Sequence, residues 1–518
     1  LVEGSRADLA LRIAVTLIAC SFMSLEAPPT NLHWLQWFGL LPMFWVVREG
    51  AGRSNRWLGY LYGVFGVAAI FRWLIDTIDL FSNLPFVAAF GILLLFASAF
   101  GAPYILLWGS VHPLRKRLGT WWVLAWPALW VLAEYGMMKL FLFPYNHGVG
   151  QYQVALTWQI VGVTGVWGLT YLIFLGNAVL GEWFYRLREG NREPPGFAAL
   201  GFAAALLGVV VYGSWRYESI EAGLREARVV KLAQLQSSVT MVERMAMGSR
   251  AGLMEWVEWT ETIPPDTVDL VVWPEGASPY LNNRGRNQTE RRRGNRVQKR
   301  LSRLAREGRF AMVVGAGTVK DVPDGIEVYN SVYAFDAEGE MTEPYHKLIP
   351  LPFGEYMPMG EYFPGLAKAI GGIGDFRAGV DPIVLEVAGL RMAAPICYEA
   401  ILPDTCRLFA SPDLFVNVTN DAWFGDSAAP YQHGMLAAAR STELGVPMIR
   451  STYSGVSMIV EPHGVIHSQT GLFEVTRKLA EVRSATFPTI YSRWGDWFVA
   501  LCGLVLGGLW AWAPGRRD

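Results

Sequence analysis

Charge is scarce in this sequence. Of 518 residues only 17% are Asp, Glu, Lys or Arg, while 52% are hydrophobic and mean hydropathy is +0.25. Soluble domains carry roughly a quarter charged residues, so the deficit excludes a disordered chain and argues against a purely cytosolic enzyme. Nor is there an excess of one sign: 44 basic residues offset 45 acidic ones, leaving a formal net charge of −1 and no global field to gather nucleic acid. Cysteine is also rare. Cys20 and Cys502 sit in long apolar runs, where a small buried hydrophobe is the simpler reading, and no cysteine spacing resembles a zinc or redox motif. Cys397 and Cys406 share the less apolar middle of the chain, which leaves one bridge open. The 7 His form no cluster and no Gly-rich phosphate loop is present, so no metal and no organic cofactor is implied.

What the chain does have is apolar residues, and they gather at its two ends. Runs lie at Leu9–Met23, Leu35–Val47, Trp57–Ile75, Phe86–Trp108, Trp121–Met138, Leu156–Leu180, Phe197–Tyr212 and Trp497–Trp512. Most approach the ~20 residues that cross a bilayer, so eight spans are expected, the short aromatic run near Leu35 being the weakest. The first run could be a signal peptide, but it has no small-residue cleavage site and further spans follow at once, so a retained helix is expected. The loops test this count. Arg48, Arg53 and Arg56 follow the second run, Arg115, Lys116 and Arg117 the fourth, and Arg186, Arg188 and Arg192 the sixth, whereas the alternate loops are poor in Lys and Arg. By the positive-inside rule the basic loops and both termini are cytoplasmic, and the segment after the seventh span lies outside. Three regions follow: 1–213, a seven-span domain; 214–492, an external domain; and 493–518, the last span with a cytoplasmic tail.

Between Ser214 and about Arg493 the composition changes to strand-like runs with turn punctuation. Strands are expected at Val229–Gln236, Asp269–Trp273, Phe310–Ala316, Val332–Phe335, Leu390–Ile396, Leu414–Val418, Met448–Tyr453 and Ser457–Val460. A helix is expected at Arg291–Arg306, with Val297, Leu301, Leu304 and Ala305 as an apolar stripe beneath a basic face. That face could meet anionic lipid headgroups, but a solvated helix surface is the preferred reading. Strands alternating with helices indicate an α/β layered domain.

Three strand ends in this domain carry reactive groups. Val-Val-Trp-Pro-Glu-Gly-Ala-Ser places Glu275 after a buried-looking strand; Tyr-His-Lys-Leu-Ile-Pro-Leu-Pro-Phe-Gly-Glu carries Lys347 and Glu355; Met-Ala-Ala-Pro-Ile-Cys-Tyr-Glu ends a strand at Cys397 and continues to Tyr398 and Glu399. Singly, each has an ordinary explanation: a thiol as core filler, a glutamate at a helix start, a solvated lysine. Together at one sheet edge they suffice for acyl transfer. The thiol attacks, a carboxylate takes its proton, and an ammonium stabilises the oxyanion.

The order Glu, Lys, Cys with these flanks resembles the nitrilase, or carbon–nitrogen hydrolase, superfamily, together with Lys231-Leu-Ala-Gln-Leu-Gln236 and Asn420-Asp-Ala-Trp-Phe-Gly425. Such a domain set between seven spans and one is similar to the apolipoprotein N-acyltransferase family, as are the loops Phe143-Pro-Tyr-Asn-His and Gly165-Val-Trp-Gly-Leu-Thr-Tyr. The resemblance implies an αββα sandwich with Glu275 as general base, Lys347 as oxyanion-stabilising cation and Cys397 as nucleophile. Glu355 and Glu399 match further acidic residues of that family's site, and the backbone N–H of Tyr398 is a second candidate oxyanion donor. It also implies a ping-pong reaction in a bacterial inner membrane, with the catalytic domain in the periplasm. A phospholipid acylates Cys397, and the amine of a diacylglyceryl-cysteine at the start of an apolipoprotein takes the chain. No nucleic acid is involved, and a monomer is expected. The alternative is a membrane-anchored amidase with water as acceptor, for which one span would be enough. A lipid-binding module with a relic domain is a further alternative, but a relic would be free to lose the triad.

The loop after Lys347 is unusually aromatic for an exposed segment. Phe353, Tyr356, Met357, Met359, Tyr362, Phe363 and Leu366 lie close together among Gly and Pro, which suits an interfacial lid better than a core element. Trp423 and Phe424 could form a second apolar rim. Arg72, Glu134 and Lys139 lie near the expected outer ends of spans, where snorkelling is cheap, and Asn146 and His147 could face the reaction site.

Overall fold

A computed structural model describes residues 5–513 except 82–83, 141–144, 280, 282–287, 324, 358–361 and 363–374. The chain divides into two compact units. One combines Leu1–Asp79, Leu84–Tyr217 and Thr489–Asp518; the other is centred on Glu218–Pro488.

The first unit is helical. Among the described residues, Arg6–Glu26 and Gly196–Arg225 are long and apolar enough to cross a membrane. Two bent pairs raise that number to four: Gly52–Ile70 with Leu74–Leu80, bent by 51°, and Phe86–Gly101 with Pro103–Gly109, bent by 44°. Of the other apolar runs, Trp122–Leu140 is a continuous 19-residue helix and Trp497–Trp512 a shorter one of 16. The run near Leu35 is a 3-10 turn at His33–Trp37 followed by a helix at Leu41–Val46. Six residues rise only ~9 Å, far short of a bilayer. The Leu156–Leu180 run is broken at Gly165, whose φ of 65° ends one short helix before Val166–Arg188 begins.

Aromatic packing holds this unit together. Trp122, Trp126 and Trp130 recur every fourth residue on Trp122–Leu140 and are fully buried against Phe44, Trp108 and Phe174. Each indole N–H has a partner: Glu182 Oε2 at 2.8 Å, the Leu107 carbonyl at 2.8 Å and Glu134 Oε1 at 3.0 Å. Small residues let two of these helices approach closely. A Cβ on Gly63 would stand 2.6 Å from the Tyr104 ring and 2.9 Å from the Gly101 Cα, so only glycine fits.

The second unit contains two six-stranded sheets. Its strands are β1 (Arg228–Gln236), β2 (Leu270–Ser278), β3 (Ala311–Val322), β4 (Gly325–Phe335), β5 (Tyr345–His346), β6 (Val384–Val387), β7 (Leu390–Ala393), β8 (Leu414–Thr419), β9 (Met448–Thr452), β10 (Met458–Val460), β11 (Ile466–Gln469) and β12 (Thr476–Ser484). The sheet orders are β12-β1-β2-β3-β4-β5 and β11-β10-β9-β8-β7-β6. Each has a parallel centre, β1-β2-β3 or β7-β8-β9, flanked by antiparallel strands. The centres face each other through β2 against β8 and β9. Burial on both faces explains why these central strands read as unbroken apolar runs.

Helices cover the sheets. Val297, Leu301, Leu304 and Ala305 of Gln288–Gly308 are buried beside Trp256, Trp273 and Met312, as the stripe predicts. Each large apolar side chain removed from water there contributes about 1.5–3 kcal/mol. Arg292, Arg293, Arg296, Lys299 and Arg303 on the opposite face are exposed. All eight expected strands are present. Four more exist: β5, β6, β11 and β12. Strand β12 pairs with β1 along its whole length, yet most of its residues are exposed, so it lacks the apolar alternation that marks a strand.

Candidate active site

The site is assembled from turns at strand ends. In β2 the ladder with β3 slips between Trp273 and Ser278, where five steps along β2 oppose only the two from Val314 to Ala316. Pro274 has no N–H to give the ladder, and Gly276 adopts φ 63°. The bulge turns Glu275 inward. It presses on Gly315 of β3, where a Cβ would lie 2.4 Å from the Pro274 oxygen and 2.6 Å from the Glu275 Cα. A Gly315→Ala substitution is therefore expected to displace Glu275. Since misplacing a catalytic group by ~1 Å can cost ~100-fold, turnover should fall at least ~10-fold with little change in substrate binding, measured as a kcat/KM split.

Cys397 follows β7 and opens a 3-10 turn, Cys397–Ile401. Its φ is +51°, a left-handed conformation that non-glycine residues rarely adopt. Surrounding bonds hold that strain. Ile396 N–H donates to Glu399 Oε2 at 2.7 Å, and Asn417 Nδ2 donates to the carbonyls of Pro395 at 2.8 Å and Cys397 at 3.4 Å. Lys347 follows β5 and is 1% exposed, with its N–H on the Asn330 carbonyl at 2.9 Å.

These groups meet. Lys347 Nζ lies 2.6 Å from Glu355 Oε2 and 3.8 Å from Glu275 Oε1. Asn330 Nδ2 bridges both carboxylates, at 2.6 Å from Glu275 Oε1 and 2.6 Å from Glu355 Oε1. Asn420 N–H donates to Glu275 Oε2 at 2.8 Å, and the Cys397 thiol and Glu275 carboxyl influence each other's ionisation. Glu399 lies behind them as a staple. Its Oε1 accepts from Leu348 N–H at 2.6 Å, Ile349 N–H at 3.0 Å and Tyr345 Oη at 2.9 Å, so it joins the lysine segment to the cysteine turn.

Burial sets the protonation states. It raises the Glu275 carboxyl above its ordinary range; the Lys347 ammonium pulls it back and the Glu355 charge pushes it up again. Burial and the Glu275 charge push the Cys397 thiol well up, so the resting nucleophile is a thiol beside a carboxylate. Burial also works against the Lys347 ammonium, but Glu355 and Glu275 overcome it, and the group stays charged. Glu399 is pushed up to about 7, chiefly by burial. An arrangement of this kind can carry out acyl transfer with the proton leaving sulfur as sulfur attacks.

A second layer was not expected from sequence. Arg450, fully buried on β9, donates to Asn417 Oδ1 at 2.5 Å, Thr419 Oγ1 at 3.2 Å and Asp421 Oδ2 at 2.8 Å. His433 Nδ1 lies 2.8 Å from Asp421 Oδ1. Burial disfavours the Asp421 charge, but Arg450 and His433 outweigh it and hold the carboxyl below its usual range. The Asn420–Gly425 segment flagged this region, but nothing local pairs Arg450 with Asp421.

The structure brings Glu275, Lys347, Cys397, Glu355 and Glu399 together, with Tyr398 buried next to the nucleophile. Phe353 and Tyr362 are exposed at 53% and 80%, Tyr356 is at the border of exposure, and Met357, Trp423 and Phe424 are half-buried. Met359, Phe363 and Leu366 lie outside the described residues. All four cysteines are free, which answers the question about Cys397 and Cys406. Glu134 does not snorkel: it is 2% exposed, with Oε1 2.5 Å from His147 Nδ1. Asn146 and His147 are likewise buried within the helical unit.

Residues 230–487 match the carbon–nitrogen hydrolase family, and residues 19–179 match the apolipoprotein N-acyltransferase N-terminal domain. Among curated proteins, the apolipoprotein N-acyltransferase of Geobacter metallireducens is 30% identical over 93% of this chain and 91% of its own. That of Azotobacter vinelandii is 31% identical over 97% of this chain and 95% of its own. Among solved structures, an amidase from Nesterenkonia sp. aligns at 18% identity over 52% of this chain and 95% of its own, with a TM-score of 0.36.

Proposed function

The chain belongs to the apolipoprotein N-acyltransferase family, and from that premise we propose that Cys397, Glu275 and Lys347 move an acyl chain from a membrane phospholipid to the N-terminal amine of a diacylglyceryl-cysteine on an apolipoprotein. The observation that carries this reading is the buried cluster itself: Lys347 Nζ lies 2.6 Å from Glu355 and 3.8 Å from Glu275, and the ionisations of Glu275 and Cys397 depend on each other. Cys397 Sγ attacks the ester carbonyl carbon while Glu275 takes the thiol proton. Lys347, and the Tyr398 N–H, stabilise the oxyanion. Collapse breaks the ester C–O bond, Glu275 returns the proton to the leaving oxygen, and a lysophospholipid departs. The thioester is then attacked by the acceptor amine, whose proton passes to Glu275 and on to the departing sulfur, leaving an amide. Glu355 and Glu399 position Lys347 and the cysteine turn.

The catalytic region is taken as 214–492, between a seven-span region 1–213 and a last span within 493–518, eight spans in all. The alternation of basic loops supports a periplasmic catalytic domain and cytoplasmic termini in a bacterial inner membrane. Interrupted segments can contribute to a span where they are buried in protein. The exposed Phe353, Tyr356 and Tyr362, with half-buried Met357, Trp423 and Phe424, suit an interfacial rim for lipid chains. The working state is a monomer.

The direct test supplies a phospholipid labelled on its acyl chain and a diacylated lipopeptide with a free amine. Label should reach the amine, and without peptide it should accumulate as a hydroxylamine-sensitive adduct. Label found only as free fatty acid would establish a hydrolase instead. A pH profile adds an independent check. Glu275 must be ionised to accept the proton, so activity is lost as pH falls, with a midpoint above 4.5, the ordinary glutamate value. A midpoint at or below 4.5 removes Glu275 as the base.

A further inference from the structure

On the β10–β11 hairpin, away from the triad, a second group of ligating side chains converges. Glu461 and His463 sit in the hairpin turn, at 2% and 1% exposure, and Glu221 comes from the last turns of the helix Gly196–Arg225. His463 Nε2 lies 2.9 Å from Glu221 Oε1 and 3.6 Å from Glu461 Oε2, and the three ligand atoms fall within 4.8 Å of one another. Glu461 Oε2 is buried without a hydrogen-bond partner.

We infer that Glu221, Glu461 and His463 form a binding site for a divalent transition metal ion of the zinc class. Zinc bonds to imidazole nitrogen and carboxylate oxygen run ~2.0–2.2 Å, which in a tetrahedron places ligand atoms ~3.3 Å apart. The observed 2.9 and 3.6 Å bracket that spacing. Two carboxylates and an imidazole are also the kind of donor set that zinc takes. A proton on Nε2 directed at Glu221 leaves Glu461 Oε2 buried and unsatisfied, whereas a metal engages all three groups.

The surroundings orient these ligands. Glu461 Oε1 is held by Arg483 Nη1 at 3.1 Å and lies 2.6 Å from His467 Nε2, which leaves Oε2 turned toward His463. The turn itself is closed by Glu461 N–H to the Val465 carbonyl at 2.9 Å and Gly464 N–H to the Glu461 carbonyl at 2.8 Å. Gly464 supplies φ 88° there. Water completes the coordination. The ion ties the end of a long helix to the hairpin and so stabilises the catalytic unit. Sequence reading expected no metal because Glu221 lies 242 positions from His463.

The test uses the untagged full chain in detergent, with Cys397→Ser removing the reactive thiol, stripped by chelation and titrated with Co2+ and then Zn2+. One equivalent of Co2+ should bind, with visible d–d bands, no thiolate charge-transfer band and displacement by Zn2+. Zn2+ should raise the thermal midpoint by ~5 °C at saturation. Glu221→Gln and His463→Gln should each weaken binding roughly 100-fold or more and abolish the thermal response. Glu221 is half-exposed, so its variant decides the matter if His463→Gln does not fold. No stoichiometric binding by the parent, or binding that survives Glu221→Gln, overturns the site.

Discussion

Cys397→Ala is expected to abolish acyl transfer, lowering turnover on the order of 10,000- to 1,000,000-fold while the protein stays folded. The side chain is small and lies at the head of a turn held by Glu399 and Asn417, so the fold does not depend on the sulfur. No other group can replace it: Cys406 is buried, and its thiol is pushed up to about 12 by burial. The thioester adduct should disappear with the activity. Glu275→Gln should also be severely impaired, because an amide cannot take the thiol proton. The double variant should be scarcely worse than Cys397→Ala alone, since groups that act in one step are strongly non-additive. Additive losses in the double variant would show that Glu275 serves the site by some route other than activating Cys397.

Arg450→Met is expected to give the largest loss of stability from a single substitution behind the site. Removing one partner of a buried ion pair costs about 3–5 kcal/mol, because the other charge remains buried. Here Asp421, fully buried, would retain only His433, while Asn417 and Thr419 each lose a donor. Asn417 holds the carbonyls of Pro395 and Cys397, so turnover should fall along with stability. Denaturation of the full chain in detergent measures the first effect. Adding Asp421→Asn to Arg450→Met should recover part of the loss, since an unbalanced charge costs more than a neutral pair. A loss under ~1 kcal/mol for Arg450→Met, with no recovery in the double variant, would mean that the pair is not what holds this region.

The reactive groups were legible because each lies in a local pattern. Glu275, Lys347 and Cys397 end or follow short apolar strands, and strand ends on parallel sheets are where side chains converge. Glu355 and Glu399 were legible by proximity to them. Their division of labour was not: Glu399 reaches 50 and 51 residues back to Ile349 and Leu348, while Glu355 grips Lys347 directly. Asn330 showed no signal, lying two positions before the expected strand Val332–Phe335, yet it bridges both carboxylates from 55 and 25 residues away.

The fold divides along the same line. Periodicity and apolar runs, which are properties of neighbours, identified eight strands, the amphipathic helix and the separation of an apolar helical part from an α/β part. Chain pairing is not a property of neighbours. Strand β12 exists because β1 offers it an edge. By itself the sequence determined which residues are chemically able to act and which segments avoid water. The tertiary structure alone decided how Glu275 is held between Asn330, Asn420 and Lys347, how Arg450 meets Asp421, and how Glu221 reaches His463. The physical reason is that burial and hydrogen bonding depend on distance in space, and here the chain brings residues as much as 393 positions apart into contact.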